Sequence, residues 1–407
     1  GSPLALPVGE ALALVEEDLL EAVRAAEGLG LAAACEPTAA LVDALACTLS
    51  GEGLFGTWDQ LMCQRIKDTW RTRDPALVWL DDKVAQVGRT AEICGGSELH
   101  LPLYAHASAG DAVAEKAFHE AVRGCIAQAE PVVVKPRHGA NSKSVFPWPA
   151  PREAGGPSVM ASFAAAAGSR DASWDRECWQ LSQVPRGAVL QPMYAMLVPW
   201  RPEAGPRSRA APLELKLQLL FGLAVGGTLN THPQLLWVTR SGALQLWDPG
   251  DLQARGHVRC RKIDQLYGRS LPDGVLEVLQ EALRRDWPLI RGASERLSRA
   301  AGLDELRVDW LLGDERWGPR IGELTYMGAG SRITPPLSAR LARAYAAGHL
   351  CRLGHLVLVD ATSDSEGTPG LWPHSAENPN AAPGRRGPLQ RPGTKRPVRG
   401  ARPGAGS

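Results

Sequence analysis

Apolar residues recur at three- and four-residue steps from Gly9 to Ser50, in EALALVEEDLLEAVRAAEGLGL and again in EPTAALVDALACTL. That period predicts amphipathic helices, with Gly28 and Gly30 as a stop between them. Thr57-Trp58-Asp59 supplies a cap for a third helix, WDQLMCQRIKDTWR. From Pro75 the pattern changes: ALVWL is a short apolar run ending at Asp81-Asp82-Lys83, and LHLPLYAHA follows a Gly-Gly break. A helix is predicted over Asp111–Gln128, and a buried strand, Val132–Val134, then delivers Lys135 into a loop. Residues 149–176 form an Ala/Gly/Pro-rich connection, helical around Val159–Ala167, before a strand in VPRGAVLQPMYAMLVPW. In LELKLQLLFGLAVGG the polar Glu214 and Lys216 alternate with leucines, so both point to one face of a strand. LLWVT and ALQLW flank Arg240-Ser241-Gly242 as a hairpin, and Pro272–Ala301 reads as an amphipathic helical pair broken near Trp287-Pro288. A closing helix and strand-like end follow over Ser338–Leu358.

One stretch interrupts its apolar pattern with charge. In LRVDWLLGDERWGPRIGELTYMGAGSRITPP, Leu306–Leu312 and Arg320–Tyr326 flank a Gly/Asp/Pro turn, the signature of a β-hairpin. Asp309 and Glu323 stand where a buried strand would prefer Val or Ile. A buried carboxylate needs a cation, a donor or water beside it. With Arg307 and Arg332 near, the pair suggests a site for Mg²⁺ and phosphate oxygens; alone it fits a solvated strand face equally well. Trp310 and Trp317 read as packing, Asp314 and Glu315 as turn residues.

Composition narrows the partners. The chain has 407 residues, 22% charged and 44% hydrophobic, room for two or three domains of ordinary globular composition. Net charge is +1, but from Ser375 onward seven Arg or Lys face the single acid Glu377, so the remainder is mildly acidic. That argues against nucleic acid as a partner, because such binding rests on basic surface. Beyond about Asp360 the chain is Pro/Gly/Arg-rich and too poor in apolar residues to fold, a disordered tail. The eight cysteines show no metal-ligand spacing and read as free thiols in a reducing, cytoplasmic compartment. No apolar run approaches the roughly 20 residues that span a bilayer. Gly1-Ser2-Pro3 lacks Met and a signal pattern, which leaves a native targeting segment upstream open.

Lys135 followed by the small-residue loop of HGANSK is a phosphate-binding arrangement, an ammonium beside backbone N–H groups in a tight turn, although the Walker pattern is absent. His138 lies in that loop and is a further candidate for phosphate. Four segments in order resemble the ATP-grasp superfamily, with the closest likeness to its TupA-like branch, the one associated with teichuronopeptide biosynthesis. They are Arg73-Asp74-Pro75 leading to Asp82-Lys83, VVVKPRHGANSK, ELKLQLLFG from Glu214 to Gly222, and RVDW…GELTY. The resemblance spans roughly residues 55–345. Departures are Arg89 six positions after the DK pair rather than four, Ala140 and Ser142 in place of loop glycines, Gln191 for a hinge Glu, and Thr325 for an Asn metal ligand.

The resemblance implies an α+β ATP-grasp fold, two subdomains gripping ATP, with a helical region over 1–74, subdomains at 75–200 and 201–358, and the tail from 359. It implies that Lys83, Lys135, His138, Gly139, Asn141 and Lys216 contact the nucleotide, and that Gln191, Met193 and Tyr194 frame the adenine. Asp309, Glu323 and Thr325 would hold Mg²⁺, while Lys216, Arg307 and Arg332 would act on the reacting groups. The implied reaction joins a carboxylate to an amine through an acyl phosphate, releasing ADP and phosphate, with small-molecule substrates or a glycan-linked acceptor. A kinase acting on a sugar or other hydroxyl, or a nucleotide-binding module without catalysis, are the alternatives.

Overall fold

A computed structural model describes residues 4–7, 15–51, 57–140, 143–154, 156–171, 174, 179–194, 213–229, 236–246, 275–327 and 335–359. Their architecture is mixed α and β, built on two antiparallel sheets within one compact unit, Gly1–Ser363. The larger sheet has the order β11-β10-β6-β7-β8-β9, from β6 (Leu213–Leu220), β7 (Leu223–Leu229), β8 (Leu236–Val238), β9 (Leu244–Leu246), β10 (Glu305–Leu312) and β11 (Arg320–Thr325). The smaller has the order β2-β5-β3-β4, from β2 (Ala105–Ser108), β3 (Val132–Pro136), β4 (Phe146–Trp148) and β5 (Gly187–Pro192).

Alternation along β6 and β10 decides what each face of the larger sheet carries. Leu215, Leu217 and Leu219 on β6, with Leu306, Val308, Trp310 and Leu312 on β10, are all buried on one side. Each such side chain contributes about 1.5–3 kcal/mol on leaving water. They join one core with helices α1 (Glu17–Gly28), α2 (Ala39–Ser50), α3 (Trp58–Thr72), α8 (Val275–Ala301) and α9 (Pro335–Arg352). The smaller sheet has its own core: Val132, Val134, Ala188 and Leu190 pack on Phe118 and Val122 of α5 (Ala112–Gln128) and on Val159 and Phe163 of α7 (Gly156–Gly168). The helices α4 (Lys83–Cys94) and the short α6 (Pro151–Ala154) complete the set described.

The sequence reading holds for most elements and fails at three. Thr57 does cap α3, its side chain accepting from the Gln60 N–H. Pro288, expected to break a helical pair, lies inside the single 27-residue α8. Leu279, Leu283, Trp287, Ile290 and Leu297 keep one buried stripe running through that position, so packing outweighs the lost backbone hydrogen bond. Lys135 belongs to β3 itself rather than to the loop after it. A strand not expected, β1 (Leu4–Pro7), pairs in parallel with β12 (Leu356–Val359), a contact between chain ends that local pattern does not reveal. The basic tail from 360 on lies outside the described residues.

A buried polar cluster fixes the N-terminal helices to the hairpin β10–β11. Asp304, fully buried just before β10, accepts from Arg65 Nη2 at 3.2 Å, from the Tyr326 hydroxyl at 2.8 Å and from the Tyr345 hydroxyl, with His349 Nε2 at 2.9 Å. Burial alone would raise the Asp304 pKa. The Arg65 charge and the hydrogen bonds from His349 and Tyr345 outweigh it and hold the carboxyl well below its usual range.

Candidate active site

The opposite face of the larger sheet carries charge in register. On β6, Glu214, Lys216 and Gln218 share a face; on β10, Arg307 and Asp309 do; on β11, Glu323 and Thr325 do. Asp309 pairs with Lys216 on one side and with Glu323 on the other, so three charged residues form one row across adjacent strands. A bulge after Asp309 leaves Trp310 paired with Ile321, which keeps Trp310 on the buried side while Glu323 stays beside Asp309.

Asp309 is fully buried and saturated by cations. Lys216 Nζ lies 2.6 Å from its Oδ2, and Arg307 binds it bidentately, Nε to Oδ1 at 2.7 Å and Nη2 to Oδ2 at 3.0 Å. Burial would raise the Asp309 pKa, but Arg307 and Lys216 hold it below its ordinary value. Burial would lower Lys216 and Arg307, yet Asp309 keeps both raised and charged. Arg307 also donates to Thr325 Oγ1 at 3.1 Å. Glu214, 3.0 Å from Lys216, is pushed up by burial and by the neighbouring Asp309 charge.

The smaller sheet brings its lysine to the same place. Lys83, first residue of α4, reaches 3.6 Å from Glu323 and donates to the Gly139 carbonyl. Asp82 caps α4 and accepts a bidentate pair from Arg137, Nε to Oδ1 at 2.7 Å and Nη2 to Oδ2 at 2.5 Å, which clamps the helix start to the end of β3. Lys135 makes no hydrogen bond or ion pair with any described residue. Burial, then repulsion from Lys83, lower its pKa to about 8 against the attraction of Glu323 and Glu214. Among the described residues three carboxylates thus face four cations, and Lys135 makes none of their ion pairs. Between the sheets His100, hydrogen-bonded to Thr90 at 3.0 Å, is pushed down to about 3 by burial and by Lys135, so it is neutral.

Gly139 is where the loop allows no side chain: a Cβ would lie 2.6 Å from Pro136 Cγ and 3.1 Å from the Trp174 ring. His138 is occupied elsewhere. Its Nε2 donates to the Ser169 carbonyl at 2.8 Å, its Nδ1 accepts from the Gly187 N–H at 3.4 Å, and its ring packs edge-on to Trp174. Both nitrogens being engaged, it has no donor for a phosphate, contrary to the sequence reading. Arg89 pairs with Glu92 on the surface, away from these groups.

At the end of β5, the Met193 N–H donates to the Pro131 carbonyl at 2.9 Å. The Tyr194 hydroxyl donates to the Gly318 carbonyl at 2.6 Å and accepts from the Asp314 N–H at 3.2 Å, pinning the β10–β11 turn. Gln191 donates to the Leu101 carbonyl at 3.2 Å, while its Oε1 is buried without a partner among the described residues, as is Gln218 Oε1. Asn141 and Arg332 lie outside the described residues. Sequence reasoning missed Arg137, whose partner is 55 positions away, and Gln218; alternation with Glu214 and Lys216 was the signal for the latter.

Among the described residues no three His, Cys, Asp or Glu side chains gather to hold a metal on their own, and no helix is long and apolar enough to cross a membrane. Six cysteines, 35, 47, 63, 94, 125 and 351, are free.

No protein-family model and no curated protein matches the chain. Solved structures do. The biotin carboxylase domain of Hydrogenobacter thermophilus 2-oxoglutarate carboxylase, crystallised with MgADP and bicarbonate, is similar over 70% of this chain and 51% of its own, at 10% identity and TM-score 0.37. The D-cycloserine synthetase DcsG is similar over 87% of this chain and 100% of its own, at 16% identity and TM-score 0.35. D-Alanine–D-alanine ligase from Bacillus anthracis with ATP is similar over 71% of each chain, at 11% identity and TM-score 0.33. The chain spans about half the length of the carboxylase it matches. All three scores are low, so the functional reading rests on the side chains themselves.

Proposed function

We propose that the cleft between the two sheets binds MgATP and that the protein is an ATP-dependent ligase of the ATP-grasp kind. It would phosphorylate a carboxylate to an acyl phosphate, which an amine attacks, with release of ADP and phosphate. The observation that carries this reading is the in-register row Lys216–Asp309–Glu323 opposite Lys83 and the unpartnered Lys135. A lysine kept charged at neutral pH without an anion is built to receive one. The halves of the grip would be the smaller sheet, within 75–200, and the larger, within 201–358. The likeness to the TupA-like branch supports the same reading through its four ordered motifs.

The residues fit the nucleotide and the ion. Gln191 Oε1, a buried acceptor without a donor, suits the adenine amino group. Lys135 and Lys83 would hold phosphate oxygens. Glu323, partly exposed, would hold Mg²⁺ with Thr325 nearby, and Asp309, bound by Lys216 and Arg307, would join it by giving up Lys216; the ion takes one or two carboxylates and completes its shell with phosphates. When bound, that ion neutralises charge developing on the transferred phosphoryl group. Arg307 fixes the Asp309 carboxylate by its fork, and Lys216, held protonated by Asp309, is placed to offset the same charge. No side-chain nucleophile is required, because the carboxylate substrate attacks phosphorus itself.

A screen of carboxylic acids with ATP, Mg²⁺ and hydroxylamine tests this. Acid-dependent ADP release with hydroxamate formation is expected. Phosphate ester on a hydroxyl acceptor in place of hydroxamate would make the protein a kinase, and ATP binding with no ADP release for any acceptor would make it a binding module.

A further inference from the structure

The Arg73-Asp74-Pro75 segment takes no part in the nucleotide cleft. Helix α3 ends at Thr72, and Arg73 closes it in the left-handed region at φ 47°. Its N–H donates to the Thr69 carbonyl at 2.8 Å, its Nε donates to the Trp70 carbonyl at 3.1 Å, and its guanidinium lies 5.4 Å from the Trp70 ring centre. Asp74 turns the other way, its Oδ1 accepting from the Ala76 N–H at 2.9 Å to cap the 3₁₀ turn Pro75–Leu80. Both terminal nitrogens of Arg73 therefore lack a partner among the described residues.

Beside this guanidinium lies an open cavity of about 590 Å³, within the size range of small-molecule sites. Two indoles, Trp70 and Trp179, and the aliphatic Pro75 and Val78 line it with Gln183. No carboxylate among the described residues lines it. Trp179 is 4% exposed, and its indole N–H is buried without an acceptor among the described residues. Ser182 lines this cavity and also a smaller one of about 90 Å³ that reaches His138, so the pocket adjoins the loop carrying Gly139.

We propose that this pocket binds a carboxylate carried on an apolar body. The carboxylate pairs with the free terminal nitrogens of Arg73, a geometry the guanidinium fork favours. The apolar body packs between the indoles and against Pro75 and Val78. A small N-acylated amino acid and the C-terminus of a peptide share this chemistry. The pocket stands on its own lining and does not depend on how the nucleotide cleft works.

Calorimetric titration of the full chain with N-acetylphenylalanine, its carboxamide, and the peptide Ala-Ala-Ala-Phe tests the assignment. The acid should bind saturably and at least tenfold more tightly than the amide. Arg73→Gln should weaken acid binding at least tenfold and leave amide binding unchanged, while Arg73→Lys recovers part of the loss. Trp179→Phe should weaken both about threefold. Peptide binding tighter than N-acetylphenylalanine would identify a chain terminus as the ligand, and weaker binding a small acid. Absence of saturable binding, equal affinity for acid and amide, or an unaffected Arg73→Gln protein with wild-type melting would overturn the proposal. ATP binding in Arg73→Gln should match the parent protein, which separates this site from the cleft.

Discussion

Replacing Lys135 with Met should stabilise the protein while removing its grip on the nucleotide. The fold holds this ammonium partly buried beside Lys83, and its pKa falls from an ordinary 10.5 to about 8. At pH 7 that gap corresponds to about 3 kcal/mol of unfavourable free energy, as an upper bound, for keeping the charge in the folded state. Met matches the length of the lysine stem without the charge. For a unit the size of Gly1–Ser363 the relief is about 4 °C in melting temperature. The sign follows from proton counting. Between about pH 8 and 10.5 the unfolded chain holds the Lys135 proton and the folded chain does not. The penalty is therefore complete below about 8 and fades as pH rises to 10.5, and the advantage of the variant fades with it. Phosphate beside Lys135 would restore its proton, so nucleotide binding above about pH 8 should take one up. Affinity should then fall by up to about tenfold per pH unit. Scanning fluorimetry from pH 6.5 to 10, with calorimetry of ATP in buffers of different ionisation enthalpy, measures both effects. A Lys135→Met protein that melts lower than its parent at pH 7, or that binds ATP as its parent does, would refute the reasoning.

Asp304→Asn removes one of the two carboxylates paired with the buried Arg65, Asp68 remaining at 2.9 Å, and should lower the unfolding free energy by about 1–3 kcal/mol in urea titrations. Because the Asp304 carboxyl is held below its ordinary 3.8, its contribution in the parent protein is complete above that value and is lost only on further acidification. Tyr194→Phe strips the buried Asp314 N–H of its acceptor and should cost about 1–3 kcal/mol, read from the same titrations. Gly139→Ala forces a Cβ against Pro136, so the loop must move; ATP affinity should drop about tenfold by calorimetry with melting little changed.

How much of this was legible in the sequence depends on how local each cause is. Period-two alternation placed Glu214 with Lys216, because a strand fixes side-chain direction residue by residue, and the hairpin signal put Asp309 and Glu323 on paired strands. Thr57 was readable as a cap for the same reason. Features set by distant partners were not readable. The continuity of α8 through Pro288 depends on the core beneath it, and the engagement of His138 depends on Ser169 and Gly187. That Asp309 is already bound by two cations while Lys135 has none is a property of two sheets meeting, and strand pattern cannot state it.

The central claim is that the carboxylate row and the lysines form one MgATP site. Calorimetric titration of a non-hydrolysable ATP analogue into parent protein and Glu323→Ala, each with and without Mg²⁺, tests it most directly. Glu323 is partly exposed and, among the described residues, pairs with Lys83 alone, so the variant should melt like its parent. The account predicts saturable binding in the parent that strengthens with Mg²⁺, and at least a tenfold weaker, Mg²⁺-insensitive interaction in Glu323→Ala. Equal affinity in the two proteins, with the same response to Mg²⁺, would contradict it.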